Sequence, residues 1–146
     1  MDAETMLAFM QEAGKLKLLP RTGWLLRGIK HPESIAEHSY RTSLLAMILA
    51  DLLIESGVRL DSTRVIRIAL IHDLAEAQVG DIPQPAMRYI SDDLKEDAER
   101  GAMEDMFADF GSSGGYYVDL WEEYEAATTL ESQVVKIADK LELLIQ

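Results

Sequence analysis

The chain contains no cysteine. That absence excludes a disulfide framework, a thiolate-bound zinc, an iron–sulfur cluster and a cysteine nucleophile. Long apolar runs are also missing. The longest stretches from Leu44 to Ala50, far short of the roughly 18 residues that a membrane span needs. The N-terminus carries Asp2 and Glu4 rather than the positive start of a secretion signal, so the expected compartment is the cytoplasm. Basic residues are scarce, 14 against 26 acidic ones, for a net charge of −12. Such a balance argues against binding a nucleic-acid polymer, which needs cationic phosphate contacts, and against anionic membranes. Histidine is rare as well, with three in the whole chain.

What remains is an ordinary globular composition. A length of 146 residues with 48% apolar side chains fits one domain spanning 1–146. A chain of this size buries roughly two thirds of its unfolded surface and needs no covalent staples. The acid surplus is uneven. Residues 91–146 hold 15 acidic and 4 basic side chains, whereas residues 1–41 hold 5 and 6. The excess reads as a solvated acidic face, and the first ninety residues stay able to host a small anion.

The patterns are helical throughout, and no stretch alternates with period two, so the fold class is all-α. A first helix is expected over 3–17. Pro20, Gly23 and Gly28 then break the chain into turns. Ser34 and Glu37 form a capping box that opens a helix to about Ser56, stopped by Gly57. A further helix is expected from about Ser62 to Ala77, followed by an irregular segment with Gly80, Pro83 and Pro85. Ser91 opens an acidic helix to about Phe110. A Gly-Ser loop over 111–115 and a short helix over 118–126 follow. Thr128 and Glu131 make a second capping box, opening a helix that runs to Gln146. No stop signal follows its last apolar residues, so it either ends there or continues in a longer chain.

Chemistry concentrates where polar residues interrupt apolar helices. Around the 62–77 helix, Val65, Ala69, His72, Asp73 and Glu76 fall within one arc of about 100°. Burying a histidine and two carboxylates is costly unless something pairs with them. A metal ion would pair with them, as would a polar network or solvent at a helix end. His38 tops a stripe of Thr42, Leu45, Leu49 and Leu52, with Arg41 one turn on as a candidate holder of an anion. Two of the three histidines therefore sit on core-facing positions. Imidazole with hard carboxylates suits zinc, manganese, cobalt or iron, and a mixed site with an open position is catalytic rather than structural.

These residues resemble a known family. His38, His72-Asp73 and Asp139, in that order, match the H…HD…D pattern of HD-domain metal-dependent phosphohydrolases. The flanks Arg21-Thr-Gly-Trp24, Glu33-Ser-Ile-Ala-Glu-His-Ser-Tyr-Arg41 and His72-Asp-Leu-Ala-Glu-Ala-Gln-Val-Gly-Asp-Ile-Pro83 are similar to its 5′-deoxynucleotidase branch. The likeness runs from about Leu16 to Leu144. It selects Asp139, which periodicity does not: on the last helix Glu142 lies nearer the apolar stripe of Val134, Ile137, Ala138, Leu141 and Ile145. The resemblance implies an HD helical bundle of about six helices with two central antiparallel ones.

It further implies one divalent cation, Mn²⁺, Co²⁺, Zn²⁺ or Fe²⁺, held by His38, His72, Asp73 and Asp139, with positions left for a phosphate oxygen and a water. Glu76 and Asp81 become the catalytic carboxylates, sharing the proton work or holding the sugar 3′-hydroxyl. A nearby cation lowers a carboxylate pKa, which suits Glu76 to a base or acceptor role. Arg21 would grip the phosphate by charge-assisted hydrogen bonds, Arg41 would assist it, and Trp24 would pack on the deoxyribose. The implied substrate is a deoxynucleoside monophosphate and the implied assembly a homodimer. Two alternatives remain: hydrolysis of a triphosphate, cyclic nucleotide or alarmone, and a non-catalytic acidic helical module that binds metal.

Overall fold

The computed structural model describes residues 2–146. Among these, eight α-helices follow one another with no β-strand: α1 (Ala3–Gly14), α2 (Thr22–Leu25), α3 (Ile35–Glu55), α4 (Ser62–Ile71), α5 (Glu76–Val79), α6 (Asp92–Phe107), α7 (Ser112–Ala126) and α8 (Leu130–Ile145). Three 3₁₀ turns, Lys15–Lys17, Gln84–Arg88 and Ala108–Phe110, link them. The all-α expectation holds, with two of the eight helices a single turn long. The chain divides into two compact units. One comprises the chain up to Glu37 with Asp73–Val118, the other His38–His72 with Asp119–Gln146.

In the first unit α1 packs against α5 and α6. Phe9 lies with its ring centroid 5.2 Å from Phe107 and 5.0 Å from Phe110, and Tyr117 stacks on Phe107 at 4.8 Å. Leu16, Leu74, Ala77, Met103 and Met106 are also buried in this unit. Ser34 opens α3 as expected: its backbone N–H donates to Glu37 Oε2 at 2.7 Å, and the Glu37 N–H donates to Ser34 Oγ at 3.2 Å.

The Gly-Ser stretch departs from expectation. It is not a loop but the first turn of α7. The positive φ of Gly111, +59°, makes the corner, and Gly114 then lets the new helix press onto the end of α6. A Cβ on Gly114 would stand 2.4 Å from the Phe107 carbonyl oxygen. Gly114→Ala is therefore expected to destabilise the fold by about 1–3 kcal/mol through overpacking. A lower urea midpoint with an unchanged slope is the readout.

In the second unit α4 packs on α8, with Val65, Ile68, Ala69, Val134, Val135 and Ala138 buried together with Leu120 and Trp121. Arg64 Nε donates to Glu123 Oε2 at 2.8 Å, and Thr129 donates to the other oxygen of the same carboxylate. Burial pushes the Glu123 pKa up, but these two donors outweigh it and hold the group below the usual range. The α8 cap is Thr129 with Ser132, one position later than the expected Thr128 and Glu131. Glu131 instead accepts from the Asp61 N–H at 2.9 Å, bracing the N-terminus of α4.

The buried side of α3 also differs. It runs through His38, Thr42, Ser43, Ala46 and Ala50, while Leu52 is 55% exposed. The helix thus turns Ala46 and Ala50 inward and leaves Leu44 and Leu52 exposed.

Candidate functional site

The expected 62–77 helix is broken at the point where its chemistry begins. Regular α-helical bonding ends at Ile71, and His72 is its C-cap. The next backbone bonds are of the tighter three-residue kind: Glu76 N to Asp73 O and Ala77 N to Leu74 O, both 3.1 Å. The His72 ring gives a physical reason. Its Nδ1 lies 2.7 Å from the Ala69 carbonyl, the carbonyl that the Asp73 N–H would use in a continuous helix. The single arc drawn from helical periodicity therefore does not survive beyond His72.

The second unit gathers three of the four expected ligands. His38, His72 and Asp139 each offer a ligand atom, and these atoms lie within 4.8 Å of one another. His38 is fully buried, and His72 and Asp139 nearly so. A carbonyl only accepts, so His72 Nδ1 carries the ring proton and Nε2 presents its lone pair. His38 Nε2 lies 3.1 Å from Asp139 Oδ1, and its Nδ1 lies 2.7 Å from Glu142 Oε2. Burial pushes the Asp139 pKa up, yet the hydrogen bond to His38 and the nearby His72 and Lys140 hold it well below the carboxylate range. Two imidazole nitrogens and a carboxylate oxygen at this separation fit a borderline divalent cation. Each imidazole hands its other nitrogen to an oxygen, the arrangement that orients histidine ligands.

The first unit holds a carboxylate cluster around Arg21. Arg21 Nη1 donates to Asp73 Oδ2 at 3.3 Å, so the phosphate-gripping candidate and the fourth ligand candidate face each other. Asp81 clamps the start of α2: its Oδ2 accepts from the Thr22 N–H at 2.6 Å and from Thr22 Oγ1 at 3.0 Å. Glu76 is buried, and its Oε2 has no hydrogen-bond partner among the described residues. Burial, then the charges of Asp73 and Asp81, raise its pKa to about 10, against the pull of Arg21.

Two other candidates lie elsewhere. Arg41 Nη1 sits 3.1 Å from Glu142 Oε1 and also meets Gln146, in the second unit. Trp24 lies on α2 with its indole nitrogen buried and the Arg27 guanidinium 5.8 Å from the ring centroid. A cavity of about 620 Å³ opens beside it, lined by Gly23, Leu26, Arg27, Gln84, Pro85, Met87 and Arg88. Glu142 is the functional candidate that the motif misses. Its place near the apolar stripe of α8, three residues after Asp139, is the signal that marks it.

A family model described as an HD domain matches residues 13–146. The 5′-deoxynucleotidase HDDC2 of Danio rerio is 41% identical over 145 residues, which cover 98% of this chain and 68% of that protein. A conserved hypothetical protein from Pyrococcus furiosus superposes with a TM-score of 0.86 at 44% identity, covering 96% of this chain and 81% of that one. A predicted metal-dependent phosphohydrolase from Magnetospirillum magnetotacticum does so with 0.77 at 31%, covering 97% and 68%.

Proposed function

The chain belongs to the HD-domain family, and from that premise we propose that it removes the 5′-phosphate of deoxynucleoside monophosphates. The products are a deoxynucleoside and inorganic phosphate. The observation that carries this reading is the buried His38–His72–Asp139 cluster, in a chain similar to 5′-deoxynucleotidases from end to end. His38, His72 and Asp139 would hold one divalent cation, with Asp73, the residue after His72, as the fourth ligand. When bound, that cation supplies positive charge to the phosphoryl oxygens and acidifies water.

The protein's own groups then divide the remaining work. Arg21 binds a phosphate oxygen through its guanidinium fork, exchanging its bond to Asp73 for the substrate. Glu76 would carry proton work at the attacking water or the leaving 5′-oxygen, and the charge of a bound cation, which draws a carboxylate pKa down, suits it to a base or acceptor role. Asp81 positions α2, and with it Arg21 and Trp24, through Thr22. The cavity beside α2 is within the size range of small-molecule sites, and its Leu26, Met87 and Pro85 offer apolar walls for sugar and base.

The test is phosphate release from dAMP, AMP, dATP and a cyclic dinucleotide with Mn²⁺, Co²⁺ or Zn²⁺, beside Asp73→Ala. Turnover of dAMP above AMP, lost in the variant, is the expected result. Release of pyrophosphate or triphosphate from dATP in place of dAMP turnover would move the chain to another reaction. Tight metal binding without any turnover would overturn the enzymatic reading.

A further inference from the structure

The His38 ring is gripped on both sides by one helix. Asp139 and Glu142 lie three residues apart on α8, so they share a face. Asp139 meets His38 Nε2 at 3.1 Å and Glu142 meets Nδ1 at 2.7 Å. Glu142 is 1% exposed and His38 fully buried. Arg41, on α3 and one turn along from His38, brings its charge within 3.1 Å of the other Glu142 oxygen, an ion pair without a hydrogen bond, since that oxygen has no hydrogen-bond partner among the described residues. The result is a chain of three residues, Arg41 to Glu142 to His38, ending at a nitrogen that faces Asp139.

We infer that Glu142 is a positioning residue for the metal, anchored by Arg41 and acting through His38. The inference rests on the metal site proposed above. It also reassigns Arg41, expected from sequence to touch the substrate, to the support of a ligand. The chemistry is direct. Carboxylates face both ring nitrogens; with a cation at Nε2 in place of the proton that faces Asp139, the Glu142 carboxylate would hold the remaining ring proton on Nδ1. A partner of this kind fixes both the tautomer and the plane of the ring, and losing it costs roughly 10–100-fold in metal affinity. Arg41 determines which way the supporting group points. Its positive charge, 3.1 Å from Oε1, favours an oxygen rather than an NH₂ group turned towards itself.

That polarity gives the experiment. In Glu142→Gln the amide oxygen turns to Arg41, and its NH₂ group faces His38 Nδ1. A donor there demands a lone pair at Nδ1 and pushes the ring proton to Nε2, the wrong nitrogen. Calorimetric titration of the full chain with Mn²⁺, without substrate, is expected to show binding weakened about 10–100-fold. Adding Arg41→Met frees the amide to rotate, so the double variant should recover part of the lost affinity. A purely structural role for Glu142 predicts no such recovery.

Wild-type affinity in Glu142→Gln would overturn the inference, as would a double variant weaker than the single one. Should Glu142→Gln fail to fold, ¹H–¹⁵N spectra of the Zn²⁺-loaded wild-type chain decide the matter. A His38 proton on Nδ1 supports the inference, and a proton on Nε2 overturns it. A wild-type chain that binds neither Mn²⁺ nor Zn²⁺ would remove the metal site itself, and this inference with it.

Discussion

His72→Ala yields a chain that no longer retains a divalent cation and hydrolyses deoxynucleoside monophosphates about 10²–10⁴-fold more slowly. His72 is 3% exposed, and its Nδ1 bond to Ala69 aims the other nitrogen at the cluster. Removing it leaves only His38 and Asp139 of the three clustered residues proposed to hold the cation. The expected loss in rate corresponds to several kcal/mol of electrostatic stabilisation of the reacting phosphoryl group. Asp139→Asn should behave alike, because the amide keeps the shape but forfeits the charge. Metal content and kcat are measured together, with circular dichroism to establish that the helices persist. A variant that is folded, metal-free and fully active would refute the assignment.

Glu76→Gln is expected to separate activity from stability. Turnover should fall about 10²–10⁴-fold, the usual contribution of a positioned proton donor or acceptor. Stability of the metal-free chain should rise. The Glu76 pKa in the folded chain is about 10, against an ordinary 4.5. Above pH 4.5 the unfolded chain releases this proton while the folded chain keeps it, so unfolding gains ground as pH rises towards 10. At pH 7 the accumulated cost is about 3 kcal/mol, and the uncharged glutamine does not incur it. Wild-type stability should therefore decline between pH 5 and 9 more steeply than that of the variant. Urea unfolding of both, with chelator present, reads the difference. Equal pH slopes would show that Glu76 ionises inside the fold.

Much of this was legible beforehand, for reasons that differ from residue to residue. His38 and His72 stand out because imidazoles are rare here and both fall on apolar helices. Asp139 was reachable only through the resemblance to the H…HD…D pattern, since helical phase favoured Glu142. The structure uses both residues, one on each side of the His38 ring, which is why phase and motif disagreed. The break after Ile71 was not legible. It depends on a side-chain bond from His72 to a backbone carbonyl, and a periodicity argument assumes that backbone bonding continues. The start of α7 was hidden for a related reason. Gly114 reads as a turn signal until the Phe107 carbonyl beneath it is seen. Nor does apolar periodicity show that α3 buries Ala46 and Ala50 while it leaves Leu52 exposed.

Thr22 and Asp81 lie 59 positions apart and share three hydrogen bonds. A four-residue helix such as α2 cannot sustain itself, so its orientation depends on a carboxylate supplied by a distant loop. The 2.6 Å bond starts from the Thr22 backbone N–H, so it survives loss of the threonine side chain but not loss of the Asp81 carboxylate. The direction in which Arg21 and Trp24 face is thus insured at one end of the clamp and exposed at the other.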